Sequence, residues 1–493
     1  MVLVNGTHSR ELDFSHGAIW EGTRMSATST ARIGLFGIGL AAYWPQFPHL
    51  KAATERHLGD VGARIGQWAD VVLAGIVDTA QAGVAAGEKF AEARVDLVVC
   101  YSSVYATSTQ VMPVVQRAGV PVLILNLQPE IALDYETAGT AVCLENSGIC
   151  PVPEMAGVFA RSGIPFRVVT GHLHGDEVAW SQVESWCRAA GAAKALKQGR
   201  FGMLGHTYPG MIDMSTDLGV VAGQLGAHVE VLEIDDLKER VRGVTDDAIT
   251  VARQGVELLL RPESDISPEG LLNATRIAAG IARLVSDFEL DGLAYYYRGT
   301  GGDEIERLAS NMIIGNTLLT TAGIPAAGEG DLKTALAMKL MHELGAGGSF
   351  SEFTGMDFND GFFLLGHDGP AHLGISDGNA TMKELAVFHG KAGGGVAVEM
   401  RAKTGPVTIL GMTQSADGRL KLVGAEGESL PGPVPRIGNS QHRVRFGDDM
   451  RRWFDAWCAT GPTHHVALGL GHRLDDVAKA AWLLGIELEH VPA

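Results

Sequence analysis

The chain has 493 residues, enough for two or three domains that each bury their own core. Hydrophobic residues make up 46% and charged residues 19%, which is typical of a globular protein and excludes a disordered one. The formal net charge of −18 repels phosphate backbones and anionic lipids, so the sequence predicts neither a nucleic-acid partner nor a membrane partner. The five cysteines include no C-x-x-C pair, and no apolar stretch resembles a secretory signal or a membrane span, which favours a cytoplasmic protein.

The first third of the chain has an α/β pattern. Residues 1–30 lack a hydrophobic period and are predicted to form an N-terminal extension. Residues 31–196 then alternate short apolar runs with longer amphipathic ones, which predicts an N-terminal α/β domain, doubly wound around a parallel sheet. The strands predicted in this domain are 33–38, 71–77, 97–101 and 120–125, and the helices are 49–68 and 79–93.

The rest of the chain changes character once. Residues 197–327 alternate in the same way and predict a central, second doubly wound α/β domain. Residues 328–493 contain alternating runs separated by turn residues, which predict a C-terminal domain of antiparallel β-strands or a β-barrel. The predicted strands are 200–204, 228–234, 292–297 and 465–470, and the helices are 268–287, 303–321, 448–459 and 473–484. The alternating runs 394–410 and 420–430, with turn residues at 403–405 and 416–418, supply the other antiparallel strands.

A G-x-G-x-x-A turn at 37–42 follows the first strand with the spacing of a dinucleotide-binding loop. Pro45 stands where the crossover helix of such a site should run, so a plain strand-to-loop turn is favoured. A nicotinamide oxidoreductase is therefore the least favoured enzyme class. Tyr43, Trp44 and Gln46 have two interpretations: they pack the first helix, or they offer a stacking and hydrogen-bonding surface to a sugar.

Two carboxylates and two histidines form a candidate metal site in the last third of the chain. Glu329 lies between two glycines before a predicted helix that Asp331 can cap, and a helix N-terminus keeps carboxylates ionised. Glu352 follows a glycine turn into a short predicted strand, His367 ends an apolar run and His465 opens another. Such a set suits a divalent ion such as Mn²⁺. Each residue alone has a plainer explanation as a helix N-terminal carboxylate or a hydrogen-bonded strand-end histidine, so the hypothesis depends on the group.

The segments around these residues resemble the motifs of the L-arabinose isomerases. Residues 329–335 (EGDLKTA) are similar to that family's EGDWKTA, and residues 349–354 (SFSEFT) to its SFMEDYT. Residues 365–367 (LGH) are similar to LGSH, and residues 461–465 (GPTHH) to GGxHH. Because the order and approximate spacing agree, the chain is identified as a divergent member of this family within the L-fucose/L-arabinose isomerase superfamily.

This resemblance implies a metal-dependent aldose–ketose isomerase whose small-molecule partner is a sugar. It also implies three domains, Mn²⁺ as cofactor with Co²⁺ or Mg²⁺ as alternatives, and a homo-oligomer (hexamer or tetramer) with active sites near subunit interfaces. The implied metal ligands are Glu329, Glu352, His367 and His465. The two glutamates are the candidate catalytic acid–base pair, since a carboxylate can move a proton between neighbouring carbons through a cis-enediol intermediate. Asp331 and Lys333 are candidates for holding the ligands in place.

The sugar-contacting residues depart from the family pattern. Asn126 stands where the family has a histidine, and the family's S-Q-H-L-Y-G motif is not visible in residues 39–46. L-arabinose is therefore not implied as the substrate. The candidate substrate-binding residues are Tyr43, Trp44, Gln46, Asn126, Gln128 and His464.

Two alternative functions remain open. The first is an isomerase or epimerase of another pentose or (deoxy)hexose on the same scaffold. The second is a non-catalytic sugar-binding sensor, because the α/β pattern of the first domain also suits sugar-binding regulators. A sensor would not need the four metal ligands, so metal dependence separates the two classes.

Overall fold

The computed structural model describes residues 28–263, 266–298, 303–388 and 391–493, without the side chains of 386–388 and 391–394. The predicted N-terminal extension, residues 1–30, lies outside the described residues up to position 27. The described chain forms two compact units. The first comprises Thr28–Ala195 with Asp475–Gly485, and the second Leu196–Leu474 with Ile486–Ala493. The predicted domain boundaries, including the division after residue 327, stay predictions.

The first unit is built on a five-stranded parallel sheet with the strand order β2-β1-β3-β4-β5. The strands are β1 (Arg32–Ile38), β2 (Asp70–Val77), β3 (Leu97–Tyr101), β4 (Val122–Gln128) and β5 (Phe166–His172). The helices are α1 (Pro48–Ile65), α2 (Ala80–Ala93), α3 (Ser108–Ala118), α4 (Thr140–Glu145), α5 (Pro151–Arg161) and α6 (Glu177–Gln198). Strands β1, β3 and β4 are buried along almost their whole length, as expected for central strands of a parallel sheet.

The second unit begins with a four-stranded parallel sheet with the order β10-β9-β6-β7. Its strands are β6 (Arg200–Gly205), β7 (His228–Leu232), β9 (Gly292–Tyr296) and β10 (Ala326–Ala327), and β8 (Arg261–Pro262) joins a separate sheet. The helices are α7 (Leu218–Leu225), α8 (Ile234–Arg242), α9 (Asp246–Leu259), α10 (Pro268–Asp287), α11 (Glu304–Ala309) and α12 (Ile313–Thr321). These two parallel sheets confirm the prediction that the chain contains two successive α/β regions.

The prediction of a single helix at 303–321 is wrong, because the segment forms two helices, α11 and α12, with a break between them. At the break, Asn311 Nδ2 donates a hydrogen bond to the carbonyl of Arg307 at 2.8 Å, which competes with helical backbone bonding. A neighbouring strand also crosses here, since a Cβ placed on Gly395 would come within 1.9 Å of the Ser310 carbonyl oxygen. Periodicity alone did not reveal this tertiary contact.

The C-terminal part of the second unit is a closed, antiparallel six-stranded barrel, which confirms the predicted change of architecture. Its order is β15-β18-β11-β12-β17-β16, and β16 pairs back with β15. The elements of this part are α13 (Leu332–Glu343), β11 (Gly347–Asp357), β12 (Phe362–His367), β13 (Thr381–Phe388), β14 (Lys391–Glu399), β15 (Gly405–Gln414), β16 (Leu420–Ser429), β17 (Ser440–Arg445), α14 (Met450–Ala459), β18 (His465–Leu470) and β19 (Glu487–His490). Helix α15 (Leu474–Leu484), which precedes β19, belongs almost entirely to the first unit. Strands β13 and β14 form a sheet with β8, and β19 extends the barrel from β16.

Helix α13 connects the parallel sheet to the barrel. Eleven of its twelve residues are buried, because it lies between β9 and the barrel strands β11, β15 and β18. Because α13 is packed on all sides, the position of its N-terminus is fixed. The glycine turn predicted before Glu352 is instead part of β11, where Gly347 (φ 87°) and Gly348 (φ 138°) adopt values that other residues disfavour. Among the described residues, no helix combines the length and apolar character needed to cross a bilayer.

Candidate metal centre

Glu329 enters the centre from a strained loop between β10 and α13. Its backbone adopts φ +60°, a left-handed conformation that costs a non-glycine residue on the order of 1–2 kcal/mol. Gly330 follows at φ +73°, and a Cβ there would approach the His206 carbonyl oxygen to 2.5 Å. The Tyr208 amide donates to the Glu329 carbonyl at 2.8 Å and helps to hold the loop. Two successive left-handed residues therefore turn the chain sharply into α13.

The barrel supplies the other three candidate ligands from neighbouring strands. Glu352 on β11 pairs directly with His465 on β18 and with Gly366, the residue before His367, on β12. Ligand atoms of Glu352, His367 and His465 lie within 4.8 Å of one another. A second group with the same spacing joins Glu329 and His465 to His464. The fold thus brings together all four predicted ligands, which are far apart in sequence, around the shared His465.

The two ring nitrogens of His465 have different surroundings. Nδ1 lies 3.0 Å from Oδ2 of Asp331, and both side chains are fully buried. A carboxylate only accepts, so Nδ1 carries the proton and Nε2 keeps its lone pair. Nε2 is buried without a hydrogen-bond partner and lies 3.5 Å from Oε2 of Glu329. Two electron-rich atoms that face each other at this distance leave a place for a cation.

Burial and hydrogen bonding set the charge of these groups. Burial lowers the pKa of His465 to about 4, although the bond to Asp331 opposes this shift, so the ring is neutral near pH 7. Burial raises the pKa of Asp331, but the bond from His465, the nearby charge of Lys333 and the bond from the Thr334 amide together leave the pKa below its usual value. Burial raises the pKa of Glu329 above its usual value. A neutral imidazole held by a carboxylate is the form that binds metals.

His367 is held by its own loop and by an aromatic ring. Its Nδ1 lies 3.0 Å from Oδ1 of Asp368 and also 3.0 Å from the Gly369 amide, so it bonds to only one of them in any protonation state. Burial lowers the pKa of His367, but Asp368, together with the nearby carboxylates of Glu352 and Glu329, more than offsets this, and the pKa lies above its usual value. Phe350 packs beside both imidazoles, with centroid distances of 4.6 Å to His367 and 4.4 Å to His465.

The donor set fits a divalent ion. Carboxylate oxygens and imidazole nitrogens together suit Mn²⁺ and its neighbours, and no thiolate is involved. The buried, unpartnered Nε2 of His465 is the independent sign of such a ligand. A cation would also offset the cost of burying Glu329 as a carboxylate.

The neighbouring candidates Asp331, Lys333 and His464 surround this cluster. Asp331 caps α13 as predicted, accepting from the Thr334 amide at 3.1 Å, while its other oxygen receives His465. Lys333 bonds to the carbonyl of Asp213 at 3.0 Å rather than to a candidate ligand. His464 is partly exposed, and its Nε2 lies 3.9 Å from Oε2 of Glu329.

Three of the predicted sugar-contacting residues follow β1 in the first unit. The 37–42 turn leads only into a short 3₁₀ helix, Ala41–Tyr43, and α1 begins at Pro48, which agrees with a plain strand-to-loop turn. Trp44 Nε1 donates to Asp78 at 2.7 Å, Gln46 donates to a carbonyl of its own loop, and Tyr43 contacts a neighbouring aromatic ring. The metal-ligand cluster belongs to the second unit, so a role for these residues in binding stays a prediction.

Asn126 and Gln128 lie at the carboxyl end of β4, also in the first unit. Asn126 is buried and donates to Oγ1 of Thr170 at 3.3 Å, whereas Gln128 donates to the Glu130 carbonyl at 2.6 Å. The carboxyl ends of strands are where open α/β sheets bind ligands. Their contact with a sugar stays a prediction.

The sequence interpretation missed several residues of the centre. Asp368 follows a predicted ligand directly, and Phe350 stands two residues before Glu352, so proximity could have suggested both. Asp213 carried no motif, and only the fold brings it to His464. A cleft beside Glu329 and His367 is also lined by three consecutive tyrosines, Tyr295, Tyr296 and Tyr297.

The fold and the donor set define an α/β protein whose C-terminal barrel presents a candidate centre for a divalent cation. Residues 375–491 match the family model of the L-fucose isomerase C-terminal domain. An L-arabinose isomerase of Acidothermus cellulolyticus is 27% identical over 382 residues, covering 75% of each chain. Another, from Klebsiella pneumoniae, is 26% identical over 390 residues with the same coverage. A match to the ligand-free, open structure of CD0873, a substrate binding protein from Clostridium difficile, covers 67% of this chain and 81% of that chain at 15% identity, with a TM-score of only 0.14.

These likenesses agree with the motifs on which the resemblance was based. Over about three quarters of its length the chain is similar to L-arabinose isomerases, as a divergent relative, and its C-terminal part is similar to L-fucose isomerase. It is an enzyme of the aldose–ketose isomerase class, an intramolecular oxidoreductase.

Proposed function

We propose that this enzyme interconverts an aldose and a ketose with the help of one divalent cation, preferably Mn²⁺, bound by Glu329, Glu352, His367 and His465. The observation that carries the proposal is the buried Nε2 of His465, which has no hydrogen-bond partner and faces Glu329 at 3.5 Å. Co²⁺ and Mg²⁺ are the alternatives for the same donor set.

The reaction moves one proton between C1 and C2 of the sugar. A carboxylate takes the proton from the carbon beside the carbonyl and returns it to the neighbouring carbon, which gives a cis-enediol intermediate. Glu329 and Glu352 are the proposed acid–base pair. The bound cation would supply polarisation of the carbonyl and stabilisation of the negative charge that develops on its oxygen. Burial of Glu329 favours its protonated form, which suits the half of the cycle in which a proton is held.

Several other residues are proposed to surround the substrate. Asp331 holds His465 in the tautomer that leaves Nε2 available, and Lys333 supports the segment next to His464. The proposed sugar contacts are Tyr43, Trp44, Gln46, Asn126, Gln128 and His464. We further propose that the enzyme is a homo-oligomer, a hexamer or a tetramer, with active sites near subunit interfaces. Its proposed location is the cytoplasm.

The decisive experiment measures ketose formation from a panel of aldoses. The enzyme is stripped with EDTA, divided, and assayed with and without added Mn²⁺ against L-arabinose, L-fucose, D-galactose and other pentoses and hexoses. We expect at least one aldose to be converted, and only when the metal is restored. Folded, Mn²⁺-loaded protein that converts none of them would overturn the proposal, and epimer formation without ketose would point to an epimerase.

The location of the metal has a test that is independent of activity. Anomalous diffraction from Mn²⁺-soaked crystals should place one ion about 2.0–2.6 Å from atoms of the four side chains. An ion elsewhere, or no ion at saturating Mn²⁺, would remove the ligand assignment.

A further inference from the structure

Asp213 makes two hydrogen bonds to His464. Its Oδ2 accepts from Nδ1 of the ring at 2.7 Å and from the His464 backbone amide at 3.1 Å. Because the carboxylate only accepts, Nδ1 carries a ring proton, and Nε2 is the ring nitrogen left for another partner. Two bonds from one oxygen to backbone and ring together fix the direction in which the imidazole points.

The segment that carries Asp213 is anchored to the first turn of α13. Lys333 is buried, and its Nζ donates to the carbonyls of Asp213 at 3.0 Å and Ser215 at 2.8 Å and to Oγ1 of Thr216 at 3.2 Å. An ammonium group has three protons, so this loop takes all of them. Lys333 therefore has no proton left for another partner and serves to fix the position of Asp213.

The same helix turn thus orients both rings of the histidine pair. Asp331 bonds directly to His465, whereas Lys333 acts on His464 through Asp213. The two rings differ in access, since the His465 side chain is fully buried and that of His464 is 34% exposed. Only His464 is open to a ligand that arrives from solvent.

The free nitrogen of His464 points toward the carboxylate of Glu329, with Nε2 and Oε2 3.9 Å apart. This distance is too long for a hydrogen bond. A hydroxyl group of a ligand can both donate to and accept from a ring nitrogen or its N–H, and sugars carry a hydroxyl on almost every carbon. We infer that Asp213 is a positioning residue that holds His464 in place to hydrogen-bond a hydroxyl of the sugar beside Glu329. This inference rests on the proposed function.

The test measures alditol binding, sugar turnover and Mn²⁺ affinity in Asp213→Ala and Asp213→Asn. Alditols (arabinitol, fucitol and galactitol) are unreactive and report binding alone by calorimetry. We expect Asp213→Ala to raise the alditol Kd and the KM of the converted aldose by about tenfold, from loss of one oriented hydrogen bond. Its Mn²⁺ affinity should remain that of the wild type. Asp213→Asn retains an acceptor oxygen for Nδ1–H and should recover most of the binding.

Two further variants separate positioning from general support of the loop. In the same segment, Asp217→Ala removes a helix cap that accepts from the amides of Gly219 and Val220, and it should leave alditol binding unchanged. Adding Asp213→Ala to His464→Ala should cause no further loss, because both act through one ring.

The binding and turnover results distinguish failure of the positioning role from failure of the proposed function. Wild-type alditol affinity in Asp213→Ala, or an equal loss of Mn²⁺ affinity and alditol affinity, would overturn the inference. A wild-type enzyme that binds an alditol through Asp213 but converts no aldose would instead refute the proposed isomerase function and leave the positioning role standing. If the wild-type enzyme isomerises an aldose and Asp213→Ala behaves identically, the isomerase function is supported and the positioning role of Asp213 is refuted.

Discussion

His465, Glu329 and Glu352 show how single side chains define the centre. The imidazole is neutral and held on one side by Asp331, and its other nitrogen faces a buried carboxylate. Without a cation this arrangement is unfavourable, because a buried acceptor without a partner costs about 1–3 kcal/mol. The burial of an unsatisfied nitrogen is therefore more informative than the presence of any one ligand type.

Replacing either glutamate with glutamine should abolish turnover. Glutamine has the same shape but neither the charge nor the proton-accepting ability, so Glu329→Gln and Glu352→Gln should lower kcat by about 10²–10⁴ or more. Ketose formation is the measurement, with circular dichroism to confirm folding. Glu428→Gln, at an exposed position on the barrel, is the matched control and should keep full activity. Near-normal turnover in either test variant would remove that residue from the chemistry.

His442 predicts how stability depends on pH away from the centre. It is fully buried, its Nδ1 accepts from the Ala402 amide at 2.9 Å, and burial lowers its pKa to about 4. An unfolded histidine has a pKa of about 6.5, so below that pH the unfolded state binds a proton that the folded state refuses. Stability is therefore complete above about pH 6.5 and falls as the pH drops toward 4, by at most about 1.4 kcal/mol per pH unit.

The measurement is urea unfolding at pH 7 and pH 5 for the wild type and His442→Gln. Glutamine keeps an acceptor for the Ala402 amide but does not titrate. The variant should lose about 2 kcal/mol less stability between the two pH values. Identical losses in both proteins would show that His442 does not contribute.

At the scale of elements, α13 and the loop before it position Glu329 and Asp331 in the candidate centre. The helix is buried on almost every side, so its first turn has a fixed position, and Asp331 caps that turn while orienting His465. Glu329 precedes it in a left-handed conformation, where strain is tolerated only if the surroundings enforce it. Both features therefore fix the positions of side chains in the candidate centre.

Asp331→Asn should separate the capping role from the orienting role. Asparagine is as good an N-cap as aspartate, so folding should be retained. Its neutral amide is a weaker acceptor for the His465 Nδ1–H, and Mn²⁺ affinity should fall about 10–100-fold. Calorimetric titration of Mn²⁺ is the measurement. Unchanged Mn²⁺ affinity would show that Asp331 only caps α13.

The strain at Glu329 can be measured with two variants that both lack the carboxylate. Glycine adopts φ +60° freely, whereas alanine retains the strain, so Glu329→Gly should be more stable than Glu329→Ala by about 0.5–1 kcal/mol. Urea unfolding of the two proteins gives this difference directly, and both should be inactive. If alanine is the more stable of the two, the backbone at this position is not strained.

At the scale of the whole molecule, the candidate metal ligands and the predicted selectivity residues belong to different units. The four ligands belong to the second unit, while Gln46 and Asn126 belong to the first. Asn126 replaces a ring that titrates near neutrality with an amide that both donates and accepts. Because a polyol is recognised through its individual hydroxyls, one changed partner can alter which sugar is preferred.

The enzyme should prefer an aldose other than L-arabinose. We expect kcat/KM for another member of the sugar panel to exceed that for L-arabinose, and Gln46→Ala or Asn126→His to change the ranking. Steady-state kinetics across the panel is the measurement. A clear preference for L-arabinose that neither substitution alters would contradict the prediction.

The sequence by itself determined the order of architectures and the four candidate ligands. Strands such as 97–101 and 465–470 were predicted with their observed bounds, because buried strands are short, continuous apolar runs. The four candidate ligands were recognisable because each stands in a short sequence motif, which can be read without knowledge of the fold. They are Glu329, Glu352, His367 and His465.

Only the tertiary structure decided what depends on distant parts of the chain meeting. The break between α11 and α12 is associated with a crossing strand, and β11 extends back to Gly347 because Gly469 of β18 pairs with it. Asp213 reaches His464 across 251 positions, and the tautomer of His465 is set by Asp331 across 134 positions. Hydrogen bonds of this kind depend on positions in space, and no periodicity or spacing along the sequence encodes them.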